Sequence, residues 1–112
     1  MTQDNRIQTY SEFWPFYLKE HSMVKTRNWH FIGSSLSVIF MIASIVFMKP
    51  SFLLLALLAG YGFAWYSHFY VQKNRPATFK YPFWSLFSDF RMWFLQLTGR
   101  LPAELLKHSI SE

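Results

Sequence analysis

The feature that most constrains this chain is an apolar stretch, residues 31–71, with a single formal charge, Lys49, at its middle. Lys49-Pro50-Ser51 is a turn signal, so the stretch is expected to fold back on itself as a hairpin. His30 stands nineteen positions before Lys49 and His68 nineteen positions after it. Folding at Lys49 therefore brings the two histidines to the same depth on the same side of a membrane.

Composition supports a bilayer as the solvent. Only 15% of the 112 residues are charged and 52% are hydrophobic, with 13 Phe, 5 Trp and 6 Tyr. A soluble domain this small buries too little of its surface to hide so much apolar area. The expected fold is an all-α integral membrane protein, one membrane domain over residues 1–112 with its core at about 10–100. A central transmembrane helical hairpin carries flanking amphipathic or interfacial helices.

The net charge of +5 comes from residues beside the apolar segments: Lys19, Lys25 and Arg27 before them, Lys73, Arg75 and Lys80 after. Under the positive-inside rule both ends of the hairpin are cytoplasmic, with the Lys49 turn on the far side. For a bacterial source this means the inner membrane, with the histidines facing the cytoplasm. No basic patch on a soluble fold is present, which argues against nucleic acid as a partner. The absence of cysteine excludes disulfides and thiolate sites, so a metal would need nitrogen and oxygen ligands. The N-terminus shows no apolar core with a small-residue cleavage site, so no signal peptide is expected.

In chain order, Met1 to Gln8 is polar and expected to be loose. Ser11 is a candidate cap for a short helix whose first turn must hold Pro15. Phe13, Trp14, Phe16, Tyr17 and Leu18 suit a membrane interface, as do the Trp and Tyr residues generally. Thr26 is the expected N-cap of a helix from about Arg27 to Met48, with a row of His30, Gly33, Ser34, Ser37, Met41 and Ser44. The return helix, Ser51 to about Val71, carries Ala56, Gly60, Ala64 and His68 at four-residue intervals. Such rows allow close helix packing and bring the histidines together. They also leave self-association into a homo-oligomer open. Tyr81 to Leu97 reads as an amphipathic helix with Ser85, Ser88, Asp89 and Gln96 on one stripe and Arg91 off it, expected to lie in the interface. Gly99 stops it, Pro102 starts a last helix, Ala103 to His108, and His108 is expected to be a solvated tail residue.

An ionisable side chain at membrane depth is a functional hypothesis. His30 and His68, with His21 reachable through a short connector, are candidates for a metal site. Hydrogen bonding to head groups or backbone is the ordinary alternative, because no His-x-x-x-His pair fixes the geometry locally.

His21 and the run Thr26-Arg27-Asn28-Trp29-His30-Phe31-Ile32-Gly33 open a longer pattern. It continues with Trp65, His68 and Phe69, then Lys73-Asn74-Arg75-Pro76-Ala77-Thr78-Phe79, Pro82, Trp84-Ser85-Leu86 and Ser88-Asp89. This pattern resembles the small membrane 2-hydroxy fatty acid dioxygenase family, named for the metabolism of phytosphingosine to odd-numbered fatty acids. The likeness covers roughly residues 10 to 100. It implies an iron(II)-dependent dioxygenase that takes a 2-hydroxy fatty acid and O2 and shortens the acid by one carbon. By position it implies His21, His30 and His68 as ligands of Fe2+. Members commonly carry a glutamate where this chain has Gln72, which matters if that carboxylate is a ligand or a base.

Three further residues are candidates for the chemistry. Arg75, or failing it Arg27 or Lys73, suits a substrate carboxylate, although such cations also set topology. Asn74 suits a hydrogen bond to a ligand histidine or to the substrate hydroxyl, and is equally a turn former. Asp89 suits a carboxylate that orients a histidine, or a polar residue facing head groups. The alternative to an enzyme is a small membrane lipid-binding or scaffold protein that needs the hairpin and no metal.

Overall fold

The computed structural model describes residues 6–110, all of whose regular elements are helical. The expected loose start falls partly on residues 1–5, outside the described residues. Beyond it the chain is held: the Ile7 amide donates to the Tyr81 hydroxyl at 2.8 Å. Helix α1 spans Tyr10–Lys19. Its cap is Thr9 and not Ser11, because Thr9-x-x-Glu12 has capping-box spacing and the Thr9 hydroxyl accepts the Glu12 amide at 3.3 Å. Starting there puts Pro15 at the sixth helical position, beyond the first turn.

Helix α2 spans Val24–Val46 and α3 spans Ser51–Tyr66, continued by a π-helical segment, Ser67–Gln72. The turn falls at Met48 to Pro50, with Met48 in the left-handed region at φ 54°. Thr26 is not the N-cap of α2, which begins two residues earlier after Met23. The Thr26 hydroxyl instead donates to Gln72 Oε1 at 2.8 Å, tying the start of α2 to the end of the π segment. Both helices are long and apolar enough to cross a membrane, and only 22% of each apolar window is buried by protein.

The small-residue rows divide by role. At Gly33 a Cβ would lie 2.6 Å from Phe63 Cβ and 2.9 Å from the Ala59 carbonyl oxygen, so this glycine is the close-approach point of α2 and α3. At Gly60 a Cβ would sit 3.5 Å from Ser37 Oγ, in ordinary contact, so the helices are further apart there.

After a 3-10 turn, Ala77–Phe79, helix α4 spans Pro82–Leu97 and α5 spans Leu101–Lys107, the latter starting two residues earlier than expected. The structure corrects the interfacial reading of the first aromatic segment. Phe13, Trp14, Tyr17 and Leu18 are buried with Tyr81, Met92 and Leu101 in a core built by α1, α4 and α5. Enough partner surface from α4 and α5 is available to take these rings out of any solvent, which the segment alone could not reveal. Trp14 Nε1 donates to Glu104 Oε2 at 2.7 Å, and Arg91 lies over the Trp14 ring at 4.1 Å.

The polar stripe of α4 turns inward rather than out to head groups. Ser85 and Ser88 are buried, Tyr10 meets Ser88 at 2.8 Å, and Gln96 Nε2 donates to the Arg27 carbonyl at 3.3 Å. His108 is likewise not a free tail residue: its Nε2 lies 3.5 Å from Glu104 Oε2.

Candidate metal centre

Three segments converge where α1 ends, α2 begins and α3 widens. His21 lies in the turn after α1, held by Arg27, whose Nη1 donates to the His21 and Ser22 carbonyls at 2.8 and 2.7 Å. His30 lies at the end of the second turn of α2 and is buried. His68 lies in the π segment, where i→i+5 bonding inserts an extra residue per turn and re-aims the side chains that follow α3. All three histidines are buried, and one ring nitrogen from each falls within 4.8 Å of the others. The three expected histidines meet with His21 at their centre: the His21 ring is 4.4 Å from that of His68 and 4.8 Å from that of His30. His30 and His68 are further apart, at 5.9 Å.

The hydrogen bonds decide which nitrogens are bare. His21 Nδ1 lies 2.7 Å from the Tyr17 carbonyl, which can only accept, so Nδ1 carries the proton. Asn74 Nδ2 donates to the Glu20 carbonyl at 3.0 Å, leaving Asn74 Oδ1 to accept from His68 Nδ1 at 2.7 Å. Both Nε2 atoms are therefore lone pairs, and they face each other at 2.8 Å. Two lone pairs at this distance repel unless a cation lies between them. A proton is a poor candidate, because burial, followed by the neighbouring His30 and His68, holds the His21 pKa well below its ordinary value. A metal ion fits. Two nitrogens each about 2.1 Å from one ion and at right angles lie about 3.0 Å apart, and ligand histidines characteristically donate their other N–H to an oxygen.

Asp89 lies beside the triad. Its Oδ1 is 3.6 Å from His30 Nε2 and accepts from the Tyr17 hydroxyl at 2.5 Å. Burial pushes the Asp89 carboxyl up to about 7, the Tyr17 hydrogen bond opposing. Burial also raises Tyr17, with the Asp89 charge adding to it.

The remaining candidates are dispersed. Asn74 touches His68 directly, whereas Arg75 and Lys73 are exposed. Arg27 is committed to the connector carbonyls. Gln72 contacts connector and helix rather than a histidine: Oε1 accepts from Thr26 and the Met23 amide, and Nε2 donates to Ser22 at 3.0 Å. A carboxylate there could keep both accepted bonds and accept a hydrogen bond from the Ser22 hydroxyl, so either residue fits this latch. Tyr17, Tyr61 and Ser85 border the site without having been expected there. Tyr17, one helical turn from His21, and Ser85, on the stripe with Asp89, left a sequence signal, whereas Tyr61 left none.

Two spaces adjoin the triad. A cavity of about 240 Å³ lies between α2, α3 and α4, with His30 and Asp89 at one end and Met41 and Leu53 at the other. A void of about 10 Å³ borders His21, His68 and Ser85, whose buried hydroxyl has no described partner. His30, Tyr61 and Asp89 line both.

No curated protein and no solved structure matches the chain. A family model does, over residues 7–101, and its description is 2-hydroxy-palmitic acid dioxygenase Mpo1-like. That span holds every residue of the histidine triad and of the cavity beside it, and the chain therefore belongs to the Mpo1-like family.

Proposed function

We propose that this protein is a membrane-embedded, iron(II)-dependent dioxygenase that shortens 2-hydroxy long-chain fatty acids by one carbon. The observation that carries the reading is the pair of bare Nε2 atoms of His21 and His68 at 2.8 Å, with His30 completing a nitrogen donor set. Such a set with open positions suits non-haem iron, which when bound supplies the oxidation of the carbon beside the carboxylate. The reaction balances without another reductant: the 2-hydroxy acid and one O2 give the shorter acid, CO2 and water.

The chain's own residues supply orientation and exclusion of water. Asn74 and the Tyr17 carbonyl fix the His68 and His21 rings with Nε2 inward. Asp89, pushed up to about 7, holds or releases a proton beside His30 near neutral pH. The acyl chain occupies the cavity that starts at His30. Arg75, exposed beside Lys73, draws the acid's carboxylate toward this end of the molecule by long-range attraction and does not clamp it at the triad.

The outward faces of α2 and α3 support a bilayer setting. Ile39, Ile42, Ile45, Leu54 and Leu58 are all exposed. A helix of 23 residues is about 35 Å long, enough for a hydrocarbon core of about 30 Å. Lys25, Lys73 and Arg75 at the histidine end support a cytoplasmic orientation of that end by the positive-inside rule.

The test is to purify the protein in detergent, count bound iron, and supply 2-hydroxyhexadecanoate with and without oxygen. About one iron per chain and an oxygen-dependent product one carbon shorter are expected. Absence of that product from iron-loaded protein under air overturns the reaction.

A further inference from the structure

We propose that Gly60 and Ala56 of α3 are a chain-length ruler, setting how long an acyl tail the cavity accepts. The inference rests on the reading above that a 2-hydroxy acid enters with its head at His30. The cavity is continuous with the triad, since His30 and Asp89 form its head end. Beyond them lie Ser34 and Ser37, both more than nine-tenths buried and lining the cavity, with no hydrogen bond described for either hydroxyl. The head end thus offers the Ser34 hydroxyl, one turn from His30, to an oxygen-bearing ligand, and the far end offers Met41, Leu53 and Leu57.

Helix geometry converts this lining into a scale. Ser37 lies seven residues past His30, about 10.5 Å along α2. An extended acyl chain advances about 1.25 Å per carbon, given carbon–carbon bonds of about 1.5 Å. The Ser37 level is therefore reached by about the eighth carbon. Gly60 and Ser37 both line the cavity at that level, and the space runs alongside the pair, since a Gly60 Cβ would touch Ser37 at 3.5 Å. Ala56, one turn further along α3, stands at about 16.5 Å, near the thirteenth carbon. Ala56 and Gly60 both line the cavity, so a longer side chain at either takes up its volume, the first added carbon at Gly60 reaching Ser37 at ordinary contact distance.

The experiment needs no turnover. Detergent-purified wild type and the Gly60→Leu, Gly60→Ala, Ala56→Leu and Gly62→Leu variants are each incubated with equal amounts of 2-hydroxyoctanoate, 2-hydroxydodecanoate and 2-hydroxyhexadecanoate. The protein is re-isolated and the retained acids are quantified by mass spectrometry. Gly60→Leu is expected to lose the two longer acids by about tenfold or more while keeping octanoate. Ala56→Leu loses only hexadecanoate. Gly60→Ala, whose Cβ fits at ordinary contact, gives a smaller shift in the same direction and covers the case in which the leucine variant does not fold. Gly62→Leu, on a face with nothing within 4 Å of the new Cβ, keeps the wild-type profile. An unchanged profile in Gly60→Ala and Ala56→Leu overturns the ruler, and so does a wild type that retains none of the acids. Retention with the expected length order, but no shortening under air, supports the ruler and overturns the reaction.

Discussion

His21 and His68 face each other through unprotonated Nε2 atoms 2.8 Å apart, although 47 residues separate them in the chain. The arrangement is unfavourable as it stands in a buried site and favourable around a cation. A metal bound there would therefore act as a folding ligand.

Removing the metal is expected to lower thermal stability. Saturation at about 100 times the dissociation constant adds about 2.7 kcal/mol to a fold that binds only when native. Treatment with a chelator should lower Tm by several degrees and re-addition should restore it, followed by circular dichroism in detergent. His68→Ala should neither bind metal nor respond to chelator. A chelator-insensitive wild type with no bound metal would count against the site.

Asn74 accepts a hydrogen bond from His68 Nδ1 at 2.7 Å, the bond that would orient His68 as the proposed ligand. Asn74→Ala is expected to weaken metal binding by about 10- to 100-fold with the fold intact. Asn74→Asp keeps an acceptor for His68 Nδ1 and should retain more affinity than Ala. Titration of the metal-free protein, read by calorimetry, distinguishes the two, and equal losses would show that Asn74 only shapes the turn.

Gly33 and Gly62 are both glycines of the hairpin with opposite expectations. A methyl group at Gly33 meets Phe63 and the Ala59 backbone, so Gly33→Ala should destabilise by about 1–3 kcal/mol through overpacking. Gly62→Ala meets nothing and, by helix propensity, should be neutral or stabilising by up to about 1 kcal/mol. Parallel thermal melts of the two variants check this, and a Gly33→Ala melt matching wild type would be the contrary result.

Glu104 ties stability to pH away from the triad. The hydrogen bond from Trp14 Nε1 lowers its pKa below the ordinary 4.5, burial partly opposing and Lys107, Arg91 and His108 assisting. For a carboxyl whose folded pKa is depressed, the stabilisation is complete above the unfolded value and disappears as pH falls through the folded one. Wild type should therefore lose an increment of stability below about pH 4.5 that Glu104→Gln does not lose. Tryptophan fluorescence during denaturation at pH 7 and pH 4 measures the difference, and identical pH dependence in both proteins would refute it.

The hairpin, its turn at Lys49 and the convergence of His30 with His68 were legible in the sequence. Each depends on local apolar length, helical period and proline, which residues carry wherever they sit. The inward turn of Ser85, Ser88 and Asp89 was not, because an amphipathic stripe has the same period whether it meets head groups or another helix. The aromatic segment around Trp14 misled for a similar reason: rings suited to an interface are also suited to a core once α4 and α5 cover them.

What the amino-acid order determined by itself is that two apolar helices return His68 to the level of His30, since rise per residue is a property of the backbone. Tertiary structure alone decided that His21 stands between them, that its Nε2 faces that of His68, and that the cavity passes Gly60. Those outcomes depend on contacts between residues far apart in the chain, and the direction of a ring or the width of a gap is set by neighbours that local pattern does not specify.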